Sequence, residues 1–239
     1  MKSINILHLY PKEMNLYGDH GNILTLQKRC EWRGIHVDVL THDIGNQLPP
    51  DIDIIFGGGG QDSGQNSIQS DLIKNKEILK NLVDSGIPCL VVCGLYQLFG
   101  HSFKTINSGT LEGLSIFDIE TIGGNERLIG NIVLKSQEFG EIVGYENHSG
   151  KTYLLNNSRP LARVVLGTGN NGQDHQEGVR YKNAIGTYLH GPILPKNPAV
   201  ADFLIQTAFQ NKYGSHEQLI KLEDSVEQKA HITAKSRPR

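Results

Sequence analysis

Short apolar runs alternate with amphipathic segments over the first hundred residues of this 239-residue chain. The apolar runs are rich in β-branched residues and predict strands at residues 4–9, 36–40, 52–56 and 89–92. Apolar positions at helical spacing predict a helix over 21–33, ended by Gly34, and a second helix over 68–83. Near-continuous apolar strands separated by helices are typical of a parallel sheet covered on both faces. The predicted fold class is therefore α/β, with a mostly parallel central sheet flanked by helices.

The second half of the chain has a different pattern. Residues 111–153 are strand-rich and contain many glycines, and further strands are predicted at 163–166 and 184–189. Asn197 and Pro198 suit the cap and first position of a helix that ends at Gly214. The last residues are charged and poor in aromatics, which is typical of a partly ordered tail. We therefore expect one domain over residues 1–214 and a charged C-terminal tail over residues 215–239.

Composition excludes several classes of protein. Hydrophobic residues make up 38% and charged residues 20% of the chain, and the net charge of −2 gives no general attraction to nucleic acid or anionic lipid. The first apolar stretch is too short for a signal peptide and too polar for a membrane span. Three cysteines, Cys30, Cys89 and Cys93, are odd in number and lack metal-type spacing. We expect a cytoplasmic protein without a membrane span, a disulfide framework or a metal site.

Cys93 is the first candidate for chemistry. It ends an apolar strand, Gly94 follows it, and the next residues can form a helix. This order of strand, sharp turn and helix resembles a nucleophile elbow, which holds a reactive side chain at the top of a sheet. The alternative is a buried structural cysteine, since free cysteines are among the most buried residue types.

A run of glycines at 57–60 falls on the same edge as Cys93, because both follow strands of the predicted parallel sheet. Ligands of open α/β sheets bind beyond the carboxyl ends of the strands. Glycines allow backbone N–H groups to approach a substrate closely, and such groups stabilise an oxyanion. The predicted donors are the N–H of Gly94 and that of either Gly58 or Gly59.

A cysteine nucleophile needs a base, and two of the ten histidines are candidates. His190 ends the strand predicted at 184–189, which would bring it to the same edge as Cys93. His148 is the second candidate, and spacing alone does not choose between them because catalytic partners meet in space.

The run Gly150-Lys151-Thr152 lacks the earlier glycine of a phosphate-binding loop, since position 145 is tyrosine. The sequence therefore predicts no ATP site of that kind.

Several motifs in a fixed order resemble the class I glutamine amidotransferases of the cobyric acid synthase type. Within that family the chain is most similar to the glutaminase subunits of lipid II isoglutaminyl synthases. The resemblance covers residues 3–213 and rests on NLYGDHGN at 15–22, GGG with QD at 57–62, CG with YQ at 93–97, NERL at 125–128, GYENH at 144–148 and GTYLHGPILPK at 186–196.

The resemblance implies a flavodoxin-like class I amidotransferase domain that hydrolyses L-glutamine to glutamate and ammonia. It implies that Cys93 is the nucleophile, that His190 is the base, and that Arg127 holds the glutamine carboxylate through its forked guanidinium. His148 then becomes a wall residue. No cofactor is implied for this chain.

The family also implies a partner. The ammonia would pass to a Mur-ligase-like subunit in a heterodimer, with ATP and magnesium on that subunit. The partner would amidate the α-carboxyl of D-glutamate in the lipid II stem peptide during peptidoglycan synthesis.

Two positions depart from the pattern of the wider class. Leu95 stands where a glycine usually lies two residues after the nucleophile, and Pro192 stands where a glutamate usually lies two residues after the histidine. Either a Cys–His dyad operates, or another acid such as Asp19 orients His190. Two alternatives to the proposed activity are an amidotransferase that serves cobyrinate-type substrates and a non-catalytic binding module.

Overall fold

The computed structural model describes residues 2–106, 109–156 and 158–238. The strands are β1 Ser3–Leu9, β2 His36–His42, β3 Ile54–Gly57, β4 Cys89–Val92, β5 Ser102–Lys104, β6 Thr110–Glu112, β7 Ile119–Ser136, β8 Gly140–Leu154, β9 Ala162–Leu166, β10 Gln176–Glu177, β11 Val179–Tyr181, β12 Ala184–Thr187 and β13 Leu189–His190. The helices are α1 His20–Glu31, α2 Asp62–Lys74, α3 Lys76–Asp84, α4 Gly94–Leu98, α5 Pro198–Tyr213 and α6 Ser225–Lys235. Within these residues, no helix has the length and apolar character needed to span a bilayer.

A six-stranded sheet in the order β11-β12-β4-β3-β1-β2 forms the centre of the fold. Five of its strands run parallel, and β11 is an antiparallel edge strand. Every residue of β3, β4 and β12 is buried, as expected for parallel strands covered on both faces. The predicted α/β class with a mostly parallel sheet is confirmed.

A second sheet of seven strands was not predicted as a separate layer, although its region was predicted to be strand-rich. It is mostly antiparallel and is built on the long pair β7 and β8. The register of that pair shifts between Gly123 and Leu128, which breaks the ladder locally.

The chain crosses from the first sheet to the second between Thr187 and Leu189. The single strand predicted at 184–189 was therefore wrong, because β12 pairs with β4 whereas β13 pairs with β8. The carboxyl group of Glu177 accepts hydrogen bonds from the Tyr188 N–H at 2.7 Å and from Thr187 Oγ1 at 3.1 Å. Burial raises the pKa of Glu177 to about 8 despite these bonds. Glu177 thus accepts hydrogen bonds from the buried donors at the point where the chain leaves the first sheet.

The helix predicted over 68–83 is two helices, α2 and α3, divided at Asn75. The Asn75 side chain donates to the Asp71 carbonyl at 2.9 Å, and its backbone leaves helical geometry with φ −92° and ψ 3°. Side-chain bonds of asparagine compete with helical backbone bonds, which explains the break.

The segment predicted to be a charged tail contains α6, which lies beside β7 and β8. None of the residues of α6 is buried, so it lacks the apolar stripe that would have predicted it. Instead, Arg29 of α1 forms an ion pair with Asp224, the residue just before α6. Its guanidinium is 1% exposed and donates to Asp202 and Asp224, both at 2.7 Å. These buried ion pairs connect α1 and α5 to the residue that precedes α6.

We predict that Arg29→Met lowers the free energy of unfolding by about 2–4 kcal/mol, because two carboxylates lose their buried partner. Denaturant titration of the full chain would measure this change. Lys28→Met is the matched control, since its ion pair with Glu31 is exposed and worth less than about 1 kcal/mol. Equal effects of the two substitutions would contradict a stabilising role for the ion pairs of Arg29 with Asp202 and Asp224.

Candidate active site

Cys93 occupies a strained turn directly after β4. Its φ of +49° and ψ of −102° lie outside the ordinary regions for a residue with a side chain. Its N–H donates to the Thr187 carbonyl at 2.8 Å, which ties the turn to β12, and α4 begins at the next residue. This is the geometry of a nucleophile elbow, with Leu95 inside the helix.

The surroundings of Cys93 differ from those of the other two cysteines. Cys93 is 7% exposed and lines a cavity of about 360 Å³. Burial raises the pKa of Cys30 to about 12, and burial raises the pKa of Cys89 further. Cys30 and Cys89 are therefore structural thiols, whereas Cys93 faces a space in which a small molecule could bind.

His190 lies beside Cys93 with Asp19 on its other side. A Cβ placed on Gly59 would lie 2.7 Å from His190 Cε1, 3.1 Å from Cys93 Cβ and 3.3 Å from Asp19 Oδ2, so all three side chains converge on one glycine. The Nδ1 atom of His190 is 3.2 Å from Asp19 Oδ1. Burial lowers the pKa of His190, but the neighbouring Cys93 and Asp19 side chains outweigh burial and raise it overall. The surroundings therefore favour an imidazolium.

Asp19 supplies the carboxylate that position 192 does not. It is fully buried just before α1, and its Oδ2 accepts the Gly59 N–H at 2.7 Å. Pro192 packs against the first turn of α1, where a Cβ on Gly21 would lie 2.5 Å from its ring. The residue that replaces the usual glutamate thus contacts the helix next to the acid.

The structure does not favour Gly58 or Gly59 as the predicted oxyanion donor. The Gly59 N–H is already bonded to Asp19, so it is not free to bind an oxyanion. Gly58 packs against Met14, whose carbonyl oxygen would lie 2.3 Å from a Cβ there, and neither Gly58 nor Gly59 lines the cavity. Gly60 does line it, and its nitrogen lies 3.0 Å from the position of a Cβ on Gly94. The sequence did not distinguish among these glycines.

Arg127 lies at the mouth of the same cavity, in the irregular stretch of β7. Its Nε donates to Asn147 Oδ1 at 2.5 Å, and one terminal nitrogen donates to the Tyr17 hydroxyl at 2.8 Å. These two bonds fix the orientation of the guanidinium and leave other N–H groups for a ligand.

His148 also lines the cavity, but in a different state from His190. Its ring stacks on Tyr188 with centroids 3.6 Å apart, and its Nδ1 bonds to the Gly150 carbonyl at 2.7 Å. Burial lowers its pKa to about 3, so the ring is neutral at neutral pH. His148 is a wall of the cavity, as the resemblance implied.

The sequence prediction assigned no role to Gln97, which lines the cavity one helical turn after Cys93. Its amide donates to the Tyr188 hydroxyl at 3.0 Å and accepts from Gln65 at 2.8 Å. Gln65 also donates to the Gly94 carbonyl at 3.0 Å. Gln97 could have been predicted to line the cavity from its spacing of four residues from Cys93, because residues four apart share one face of a helix.

Comparison with known proteins gives consistent results. The profile of the CobB/CobQ-like glutamine amidotransferase domain matches residues 5–198. The chain is 43% identical to the lipid II isoglutaminyl synthase (glutamine-hydrolyzing) subunit GatD of Staphylococcus aureus, over 89% of this chain and 87% of that protein. Identity to the subunit of the same name from Streptococcus pneumoniae is 41%, over 94% and 88%. A "Probable cobyric acid synthase" of Methanococcus maripaludis is 33% identical over 67% of this chain but only 34% of its own length.

Two solved structures share the fold. The structure of PurLQS from Thermotoga maritima has a TM-score of 0.59 at 14% identity and covers 86% of this chain and 98% of its own. A crystal structure described as a glutamine amidotransferase has a TM-score of 0.60 at 13% identity, with coverage of 84% and 98%. On the profile match and the near full-length relatives, the chain belongs to the family of CobB/CobQ-like glutamine amidotransferase domains.

Proposed function

We propose that this chain is the glutaminase subunit of a lipid II isoglutaminyl synthase and hydrolyses L-glutamine to glutamate and ammonia. The observation that carries the proposal is the convergence of Cys93, His190 and Asp19 on Gly59, beside a cavity. The high identity to two glutamine-hydrolyzing subunits over nearly their full length supports it. The match to only a third of the cobyric acid synthase relative makes a cobyrinate-type substrate the weaker alternative.

In the first half of the reaction, the Cys93 thiolate attacks the side-chain amide carbon of glutamine. The N–H groups of Gly94 and Gly60 stabilise the oxyanion that forms. The His190 imidazolium donates its proton to the amide nitrogen, the C–N bond breaks, and ammonia leaves a thioester on Cys93.

In the second half, neutral His190 takes a proton from water, and the resulting hydroxide attacks the thioester carbon. The C–S bond breaks, glutamate leaves, and the thiolate–imidazolium pair is restored. Asp19 accepts a hydrogen bond from Nδ1–H of His190 throughout, which keeps Nε2 directed at the reacting groups and stabilises the imidazolium. Arg127 binds the α-carboxylate of glutamine at the mouth of the cavity.

The ammonia would be used by a Mur-ligase-like subunit that holds ATP and magnesium and forms a heterodimer with this chain. That subunit would amidate the α-carboxyl of D-glutamate in the lipid II stem peptide. We place this reaction in the cytoplasm, where glutamine and ATP are available.

The direct test of the proposed function replaces Cys93 with alanine. We expect glutamate release from glutamine to fall to background, with or without the partner, because no other thiol reaches the cavity. Amidation of lipid II by the complex should persist when ammonium replaces glutamine. Cys89→Ala, four residues earlier in the same segment, is the control that should keep activity. Retained turnover in Cys93→Ala would refute the mechanism.

A second prediction separates the two histidines. His190→Ala should lower kcat by at least about 10³-fold, since it removes both the acid and the base. His148→Ala should act mainly on KM through the shape of the cavity wall. Steady-state kinetics of the two variants would measure these effects. The reverse pattern would transfer the acid–base role to His148.

The third prediction concerns the pH profile. Asp19→Asn removes a carboxylate that raises the pKa of His190, so the imidazolium loses its proton at lower pH. The alkaline limb of kcat/KM should therefore move to lower pH, and kcat should fall by about 10²–10⁴-fold through loss of the correct tautomer. Asp62→Asn is the matched control, since Asp62 also lines the cavity. An unmoved alkaline limb in Asp19→Asn would remove Asp19 from the mechanism.

A further inference from the structure

A second cavity, of about 580 Å³, lies between α6 and the β7–β8 pair. Its charged lining residues are Lys196, Lys229 and Arg237, and its lining includes no aspartate or glutamate. We call this cavity the basic cleft. Gly191 contributes to its wall, so the cleft borders the residue that follows His190 but shares no lining residue with the cavity at Cys93.

Lys196 is the unusual member of the basic cleft. It is half-buried, and its Nζ donates to the Gly191 carbonyl at 2.6 Å. Burial lowers its pKa, and the charge of Arg237 lowers it further. A partly desolvated ammonium beside a second cation is unfavourable unless an anion joins them.

Elsewhere in the described chain, several partly buried cations have carboxylate partners. Arg180 is 7% exposed and binds Glu138 at 2.8 Å, and Lys212 binds Asp53 at 2.6 Å. Even on α6, Lys235 binds Glu141 at 2.7 Å. By contrast, the three cations of the basic cleft form no ion pair within residues 2–106, 109–156 and 158–238. Lys229 and Arg237 are exposed to solvent, but half-buried Lys196 has a backbone carbonyl and no carboxylate beside it, so an anion bound in the cleft would supply its missing counter-charge.

We propose that the basic cleft binds a diphosphate group. The combination of one arginine fork and two lysine point charges matches the oxygens of phosphates, and a diphosphate carries enough negative charge for three cations. The cleft is large enough for a diphosphate with part of its attached group. The source is either a soluble diphosphate or a diphosphate on a lipid, and both present the same oxygens.

The first test is calorimetric titration of the full chain with inorganic pyrophosphate at constant ionic strength. We expect saturable binding that weakens by at least about tenfold in Lys196→Met and in the double variant Lys229→Gln, Arg237→Gln. The double variant changes exposed residues of the C-terminal segment, so it keeps the test valid if Lys196→Met does not fold. Lys104→Gln, an exposed lysine of β5 outside the cleft, should bind as the unchanged chain does. Absence of saturable binding, or equal binding by all variants, would overturn the proposal.

A second arm identifies the source. Phosphatidylcholine vesicles that contain a prenyl diphosphate are compared with vesicles of equal charge made with phosphatidylglycerol. Binding to the diphosphate vesicles alone, competed by pyrophosphate, supports a lipid source, and binding of soluble pyrophosphate alone supports a soluble one. Equal binding to both kinds of vesicle would show general attraction to anionic surfaces and would overturn a specific site.

The basic cleft and the glutaminase proposal can fail independently. Pyrophosphate binding is measured without glutamine, and Cys93→Ala should bind pyrophosphate as the unchanged chain does. Loss of glutaminase activity in that variant together with normal pyrophosphate binding would show two separate sites.

Discussion

The parallel pairing of β4 with β12 is the constraint on which the active site depends. Val92 is opposite Thr187, and the Cys93 N–H bonds to the Thr187 carbonyl. Parallel neighbours end at the same edge of a sheet, so the turn after β4 and the segment after β12 emerge side by side. The crossover into the second sheet then places His190 above that edge. At the crossover, the Tyr188 N–H donates to the Glu177 carboxyl group in place of a neighbouring strand.

Because Gly59 has no side chain, Cys93, His190 and Asp19 can approach one another at this edge of the sheet. The side chains of Cys93, His190 and Asp19 each lose hydration on burial, and contacts among the three offset part of that loss. Asp19 also accepts the Gly59 N–H, so the same glycine supplies both the space and a fixed hydrogen bond. The strained turn at Cys93 is maintained because β12 holds one side of it and α4 the other.

Much of this arrangement follows from local sequence patterns. The apolar runs specify the parallel strands, and the end of β4 specifies the edge at which Cys93 lies. His190 reaches that edge through the crossover into the second sheet, which the predicted strand at 184–189 did not include. The role of Asp19 depends on how α1 packs, which spacing does not encode. Gly60 lines the cavity whereas the Gly59 N–H is bonded to Asp19, and a run of identical residues does not distinguish the two. Helix α6 escaped prediction because its fastening is Arg29, a residue nearly two hundred positions earlier, and not its own apolar periodicity.

The three cysteines of the chain have one further consequence. Two thiols are sealed in the core with raised pKa values, and the third opens on a cavity. We therefore expect thiol reagents to modify the native protein at Cys93 and to leave Cys30 and Cys89 unmodified. A fluorophore or spin label attached under native conditions would report from the cavity alone, without any change to the sequence.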